Sequence, residues 1–263
     1  LSRRQRQMCI RDRSYTTKIK RPFYNQLSSN MRYMNRFTYM SGNPDLKPET
    51  IHDLTLSGSY KWLQFMISYQ REKDAILYIT EQYKKNPAIT TVTHRNFNRI
   101  DNFSAFLTAS PAVGSWHPQL TVGVQKQWAK IEHNGETLQM DTPLFFCTLN
   151  NGIQLPYHWT LSTDINFQSK GDYQNIYMYQ NVFMMNATLT KSFLNEHLSI
   201  HLQGIDLTHG RKDGNRIYNK HMNMDVANVS DSRELRFTIR YKFNTAKSKY
   251  KGKGAATEEI KRL

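Results

Sequence analysis

Apolar residues recur at every second position in segment after segment of this chain. From Arg233 to Phe243, the residues Leu235, Phe237, Ile239, Tyr241 and Phe243 alternate without a miss with Glu234, Arg236, Thr238, Arg240 and Lys242. Successive side chains of a strand point to opposite faces, so this stretch carries one apolar and one polar face. The same alternation runs through Leu54–Tyr60, Leu63–Tyr69, Phe103–Ala109, Leu120–Val124, Trp159–Phe167 and Phe183–Leu189. In Leu198, Ile200 and Leu202 the phase holds as far as Gly204, after which Ile205 and Leu207 carry the opposite phase, as a β-bulge would produce. With Tyr15–Lys20 and Phe145–Leu155 added, the pattern predicts about ten strands, many near the length of a tilted bilayer-crossing strand. No segment sustains a 3.6-residue stripe, so the fold class is all-β.

The connections refine this. Strand pairs 51–60/62–73, 99–110/118–130, 143–155/158–169 and 178–193/197–207 are joined by short turns, whereas the links 21–50, 74–98, 131–142, 170–177 and 208–232 are long. In an up-and-down sheet alternate connections emerge at the same end, so short and long links segregate to opposite rims. That layout predicts an antiparallel up-and-down transmembrane β-barrel, apolar alternates facing lipid and polar alternates facing a lumen. Tyr60, Trp62, Tyr69, Trp116, Trp128, Tyr157, Trp159, Phe193, Tyr241 and Phe243 fall near predicted strand ends, where rings suit the head-group level. The competing expectation is a soluble secreted β-rich binding module, a carbohydrate-binding sandwich or propeller. It requires two sheets with buried inner faces and no continuous apolar belt.

One segment carries more than pattern. Gly42-Asn43-Pro44-Asp45-Leu46-Lys47-Pro48-Glu49 follows a long polar stretch and directly precedes the Ile51–Tyr60 strand. Its prolines fix extended backbone and withhold amide donors, which suits a loop re-entering a barrel at its rim. The octet resembles the GNPxLKPE signature of TonB-dependent receptors, in the group with an outer-membrane β-barrel of this type. Arg21-Pro22-Phe23-Tyr24-Asn25-Gln26-Leu27 looks like the RPxYxxL segment that precedes it there. The Arg236–Phe243 stretch is similar to the family's closing strand, with Tyr241 and Phe243 as the aromatics that barrel-insertion machinery reads. The resemblance implies residence in the cell outer membrane and contact with outer-membrane lipid. It implies the insertion machinery as a partner, TonB engaged through an N-terminal plug part without counterpart in these residues, and an extracellular ligand of unknown identity. Such barrels close with about 22 strands. The chain is therefore expected to be the C-terminal portion, residues 14–243, of a larger barrel, an open or partly closed sheet not competent for transport by itself. The loops 21–50, 74–98 and 208–232 are the expected ligand-facing surfaces.

Charge changes the picture less than its size suggests. The 36 Lys and Arg exceed the 21 Asp and Glu by 15, but residues 1–13 and 244–263 each hold a net +4. The stretch Gln5–Arg13 resembles translated sequencing-adapter text, shares no pattern with the rest of the chain, and is set aside with residues 1–4 as an expected non-native artefact. The Lys-rich tail 244–263 reads as a solvated periplasmic extension. Its single Tyr offers no stacking platform, so no nucleic acid is expected as a partner. Cys9 and Cys147 form no CxxC pair, and no apolar run approaches the roughly 18 residues of a membrane helix. His197 and His201 share a strand face about 13 Å apart, too far for one metal. Asp141, Asp164 and Asp206 read as polar residues of a wet lumen. No catalytic residue, cofactor or metal site is expected, and no enzymatic activity.

Overall fold

The computed structural model describes residues 10–83, 85–133, 135–218, 223–229 and 231–243. Ten strands form the main wall: β1 Ile10–Lys20, β2 Glu49–Tyr60, β3 Leu63–Gln82, β4 Thr90–Ala109, β5 Trp116–His133, β6 Leu144–Leu155, β7 Trp159–Gln168, β8 Val182–Phe193, β9 Leu198–Ile205 and β10 Glu234–Tyr241. Each pairs antiparallel with its neighbours in chain order, and β1 and β10 are the two edges of an open sheet. The all-β, up-and-down reading holds. Among the described residues no helix is long and apolar enough to cross a membrane, which says nothing of strands.

The register places the alternating residues as the sequence pattern requires. Leu54 stands beside Tyr69, Leu56 beside Ile67, Phe65 beside Leu107 and Ala105 beside Val124. Across the far half, Leu149 pairs with Ile165, Ile165 with Met185, Leu189 with Leu202 and Leu202 with Phe237. One face of the wall therefore carries the apolar series, and no second sheet covers it: Ile67, Leu120, Phe145 and Phe237 are all exposed. A sandwich would bury this face, so the soluble-module expectation fails on the fold. The opposite face carries Gln64, Ser68, Gln70, Asn102, Ser104, Gln125, Asn150, Asn166 and His201, as a water-facing lumen would.

All tight connections between consecutive wall strands lie at one rim. Lys61 and Trp62 turn β2 into β3, so Trp62 belongs to the turn and not to the strand. Pro156–His158 turn β6 into β7, and Leu194–Glu196 lie in the turn between β8 and β9. Lys61, Tyr157, His158, Leu194, Asn195 and Glu196 all have φ between 51° and 67°, the left-handed region that lets a strand reverse in so few residues. The bulge expected at Gly204 is present. Ala187 pairs with Gly204, but the Met185 carbonyl accepts from Leu207 N–H at 2.8 Å, one residue out of register, with Asp206 at φ 46° absorbing the extra residue.

The long links differ from expectation. Most of 74–98 is strand: β3 and β4 continue as a hairpin to Gln82 and Thr90, paired Gln82 to Thr90. In 131–142, Glu136–Met140 folds back on β5. The strands Gly171–Tyr173, Ile176–Met178, Lys212–Tyr218 and Asn223–Val229 form a second, four-stranded sheet at this rim. These strands do not alternate, which hid them: Ala75-Ile-Leu-Tyr-Ile79 and Ile176-Tyr-Met178 are apolar without a break. Here alone a buried cluster forms: Ala75, Leu77, Ile100, Ala129, Ile131 and Met140, with Tyr177 and Tyr218 of the second sheet packed against it. Among the described residues the rest of the wall has no such cluster, and its apolar face is left open.

Residues 1–9 and 244–263 lie outside the described residues. Ile10–Arg13, set aside with the first nine, continue β1 along Ser59–Leu56. A ladder needs only backbone groups, so any sequence can extend it. The side chains do not fit the wall, since this register puts Arg11 and Arg13 on its apolar face.

Candidate functional site

The octet Gly42–Glu49 sits at the rim with the long connections and runs directly into β2. Gly42 N–H donates to the Ser28 carbonyl (2.8 Å) and Asn43 N–H to the Gln26 carbonyl (2.6 Å), so the octet binds the backbone of the Arg21–Ser28 segment. A Cβ at Gly42 would lie 2.4 Å from the Gln26 carbonyl oxygen, which is why glycine is required there. Asn43 bridges in the other direction, its Nδ2 donating to the His94 carbonyl at 3.1 Å while its Oδ1 accepts from Asp45 N–H at 3.0 Å. Lys47 N–H donates to Asn96 Oδ1 (2.8 Å), and Asn96 Nδ2 donates to the carbonyls of Lys47 (2.9 Å) and Asp74 (2.7 Å). Leu46 is buried, and Pro44 lines a cavity beside the octet. Glu49 is buried at the first position of β2, with Lys20 Nζ 3.4 Å away, and Pro48 delivers the chain to it. The octet is thus a staple that ties the Arg21–Ser28 segment to the extended β3–β4 hairpin.

That cavity, of about 720 Å³, is lined by Gly42, Asn43, Pro44, Tyr83, His94 and Arg95. His94 is buried, neither ring nitrogen has a hydrogen-bond partner, and burial lowers its pKa. Its ring centroid lies 4.3 Å from that of Tyr78, with the two planes tilted by 43°. Below, on the polar face, Glu72 accepts from Asn102 Nδ2 (3.0 Å). Desolvation, and then the neighbouring Glu49 carboxylate, push the Glu72 carboxyl up to about 7, against the opposing pull of Lys20 and Asn102.

The second sheet folds over this polar face. Gln127, buried on β5, donates through Nε2 to the Gln174 carbonyl (2.8 Å) and accepts from Gln174 N–H (2.5 Å). Asn175 donates to the carbonyls of Tyr78 (2.7 Å) and Tyr218 (3.3 Å). Asp206 anchors the last rim link, accepting from the N–H groups of Gly210 (2.8 Å) and Arg211 (3.3 Å) and from the Ser232 hydroxyl. Burial would raise this carboxyl, but those donors outweigh it and hold the group below the usual carboxylate range. Asp206 is therefore a loop anchor and not a lumen-wetting residue. Asp141 also departs from the lumen reading, lying 3.8 Å from Lys126 on the other face. Asp164 alone keeps the expected place, beside Asn150 and Asn186.

At the opposite rim, Tyr241 closes β10 and its ring meets that of Phe243 edge-on at 4.6 Å, both exposed. Lys242 N–H donates to the His197 carbonyl at 2.8 Å, holding the strand end to the β8–β9 turn. The structure therefore separates the two predicted sets of site residues, the octet at the upper rim and the aromatic pair at the lower. Among the described residues no group of three or more His, Cys, Asp or Glu side chains is placed to hold a metal. Sequence reading missed His94, the Glu49–Glu72 pair and the Asp206 anchor: Glu49 and Glu72 meet from different strands, and Asp206 draws on Ser232, 26 residues on, as well as on Gly210 and Arg211 close by.

The family model described as "Outer membrane protein beta-barrel family" matches residues 11–241. No curated protein matches the chain. Among solved structures, the outer membrane transporter YddB from Escherichia coli is 12% identical with a TM-score of 0.48, over 79% of this chain and 34% of that one. The ferric enterobactin receptor PfeA, in complex with BCV-L6, is 15% identical with a TM-score of 0.45, over 87% of this chain and 37% of that one. The chain thus spans little more than a third of the length of either structure.

Proposed function

Because the chain belongs to the outer membrane protein beta-barrel family, and so lies in the outer membrane, we propose that its ten strands form the C-terminal wall of a TonB-dependent receptor barrel. The observation that carries the reading is the segregation of connections. Every tight turn between consecutive wall strands lies at one rim, and the octet, the cavity beside it and the second sheet lie at the other. In this reading the tight turns face the periplasm, and the long-connection rim faces the medium and takes the ligand. Tyr241 and Phe243, at the periplasmic end of β10, are the aromatics offered to the insertion machinery. Lipid faces Leu56, Ile67, Leu120 and Phe237, and the wall carries out no covalent chemistry. Transport is a property of the whole receptor, with energy relayed by TonB through a plug inside the barrel. The test is binding of the whole gene product, extracted from outer membrane, to the periplasmic domain of TonB. Micromolar or tighter binding is expected, and its absence with the barrel correctly folded contradicts the TonB assignment.

A further inference from the structure

We propose that the outward face of β3, β4 and β5, just above the apolar band, binds the phosphate-bearing head group of an outer-leaflet lipid. On this face the apolar series Phe65, Ile67, Leu107, Ala105, Leu120 and Val122 gives way upward to Tyr69, Arg71, Arg99, Lys126 and Trp128. Arg71 lies nine residues above Trp62, Arg99 ten above Ala109, and Lys126 ten above Trp116. At about 3.3 Å per residue and a tilt of about 40° these cations stand about 23–25 Å above the tight turns, the upper edge of a barrel's apolar band. The register sets them in a step across three neighbouring strands: Arg71 lies opposite Asp101, two residues below Arg99 on β4, and Lys126 lies opposite Phe103, two residues below Asp101.

The cluster is built, and not merely exposed. Asp101, with a side chain only 11% exposed, accepts from Arg71 Nε (2.9 Å), Arg99 Nε (2.5 Å) and the Tyr69 hydroxyl (2.8 Å). One carboxylate therefore fixes two guanidinium groups side by side. Each keeps further nitrogens for a second anion, and a planar fork suits phosphate oxygens. Lys126 Nζ stands 5.5 Å from the Trp128 ring, and an adjoining cavity of about 520 Å³ is lined by Arg99, Trp128, Lys130, Gln139 and Asp141. The cations Arg71, Arg99, Lys126 and Lys130 outnumber Asp101 and Asp141 by two. Continuity with the lipid-facing band argues for a lipid as the occupant, since acyl chains on that band put the head group at this height. Outward cations at the lower rim stand apart on separate hairpins: Lys61 over Tyr60, and Lys191 between Trp159 and Phe193.

The inference rests on the orientation given under the proposed function, but not on TonB or transport, so the two tests fail separately. The experiment is native mass spectrometry of the whole gene product, extracted in detergent and titrated with diphosphoryl lipid A or monophosphoryl lipid A. The unsubstituted protein is expected to retain the diphosphoryl form about tenfold more strongly. The double variant R99Q/K130Q is expected to lose that preference, and K191Q at the lower rim to keep it. Equal retention of the two lipids, or an unchanged preference in R99Q/K130Q, overturns the proposal. Should the double variant fail to fold, salt decides on the unsubstituted protein. The preference must shrink on going from about 50 to about 500 mM ammonium acetate, and indifference to salt overturns it.

Discussion

At the scale of single residues, backbone crowding and charge burial make the sharpest claims. Gly42→Ala drives a methyl into two carbonyl oxygens, those of Gln26 and Ser28, at 2.4 and 2.6 Å. Backbone cannot swing aside, so a loss of about 1–3 kcal/mol is expected in urea unfolding from lipid vesicles. Gly123→Ala meets the Phe106 ring instead, at 2.2 Å. That ring is the end of a rotatable side chain facing the lumen, so the cost is expected to be smaller than at Gly42. Glu72 supplies a pH dependence. It lies above Tyr69, where the outward face has passed from apolar residues to Arg71 and Lys73, and its folded pKa of about 7 exceeds the ordinary 4.5. The folded state therefore holds this proton more tightly than the unfolded chain, so stability falls as pH rises through that window and levels off above about 7. Glu72→Gln is expected to remove that slope, read as the urea midpoint against pH. The octet was legible in the sequence, but its contacts were not. Its partners Gln26 and Ser28, and His94 and Asn96, reach it from opposite directions along the chain.

At the scale of elements, period two carried the wall and failed at the rim. Where one face meets lipid, apolar and polar residues must alternate, so Leu235–Phe243 and Trp159–Phe167 announce both their strands and their faces. Between Lys73 and Arg99 no face meets lipid. The β3–β4 hairpin is instead held by the octet, the parallel strand Thr38–Met40 and the second sheet, so its sequence loses the alternation. The β-branched run Thr90-Thr-Val-Thr93 was the remaining sign of a strand. Face assignment makes a direct prediction on β10. Phe237→Arg places a charge in lipid beside Leu202 and is expected to cost about 2–4 kcal/mol if it lies near the midplane. Thr238→Arg, one residue on and facing the lumen beside His201, is expected to cost less than about 1 kcal/mol. Urea unfolding of the two variants in the same vesicles checks the difference.

At the scale of the whole molecule, a single layer of ten strands with one apolar and one polar face is stable only between two unlike solvents. The apolar face needs lipid, and the polar face needs a wet interior, whose rim the second sheet covers. Net charge, the most prominent number in the composition, had little part in this, since more than half of it lies in the two ends. The most direct measurement is spin-label accessibility along β3 of the gene product in outer-membrane lipid, with Cys9 and Cys147 replaced and single cysteines placed from Gln64 to Gln70. Labels at 65, 67 and 69 are expected to favour dissolved oxygen, and those at 64, 66, 68 and 70 a water-soluble nickel chelate. Uniform access to the chelate, or access of neither reagent at alternate positions, would contradict a wall between lipid and lumen.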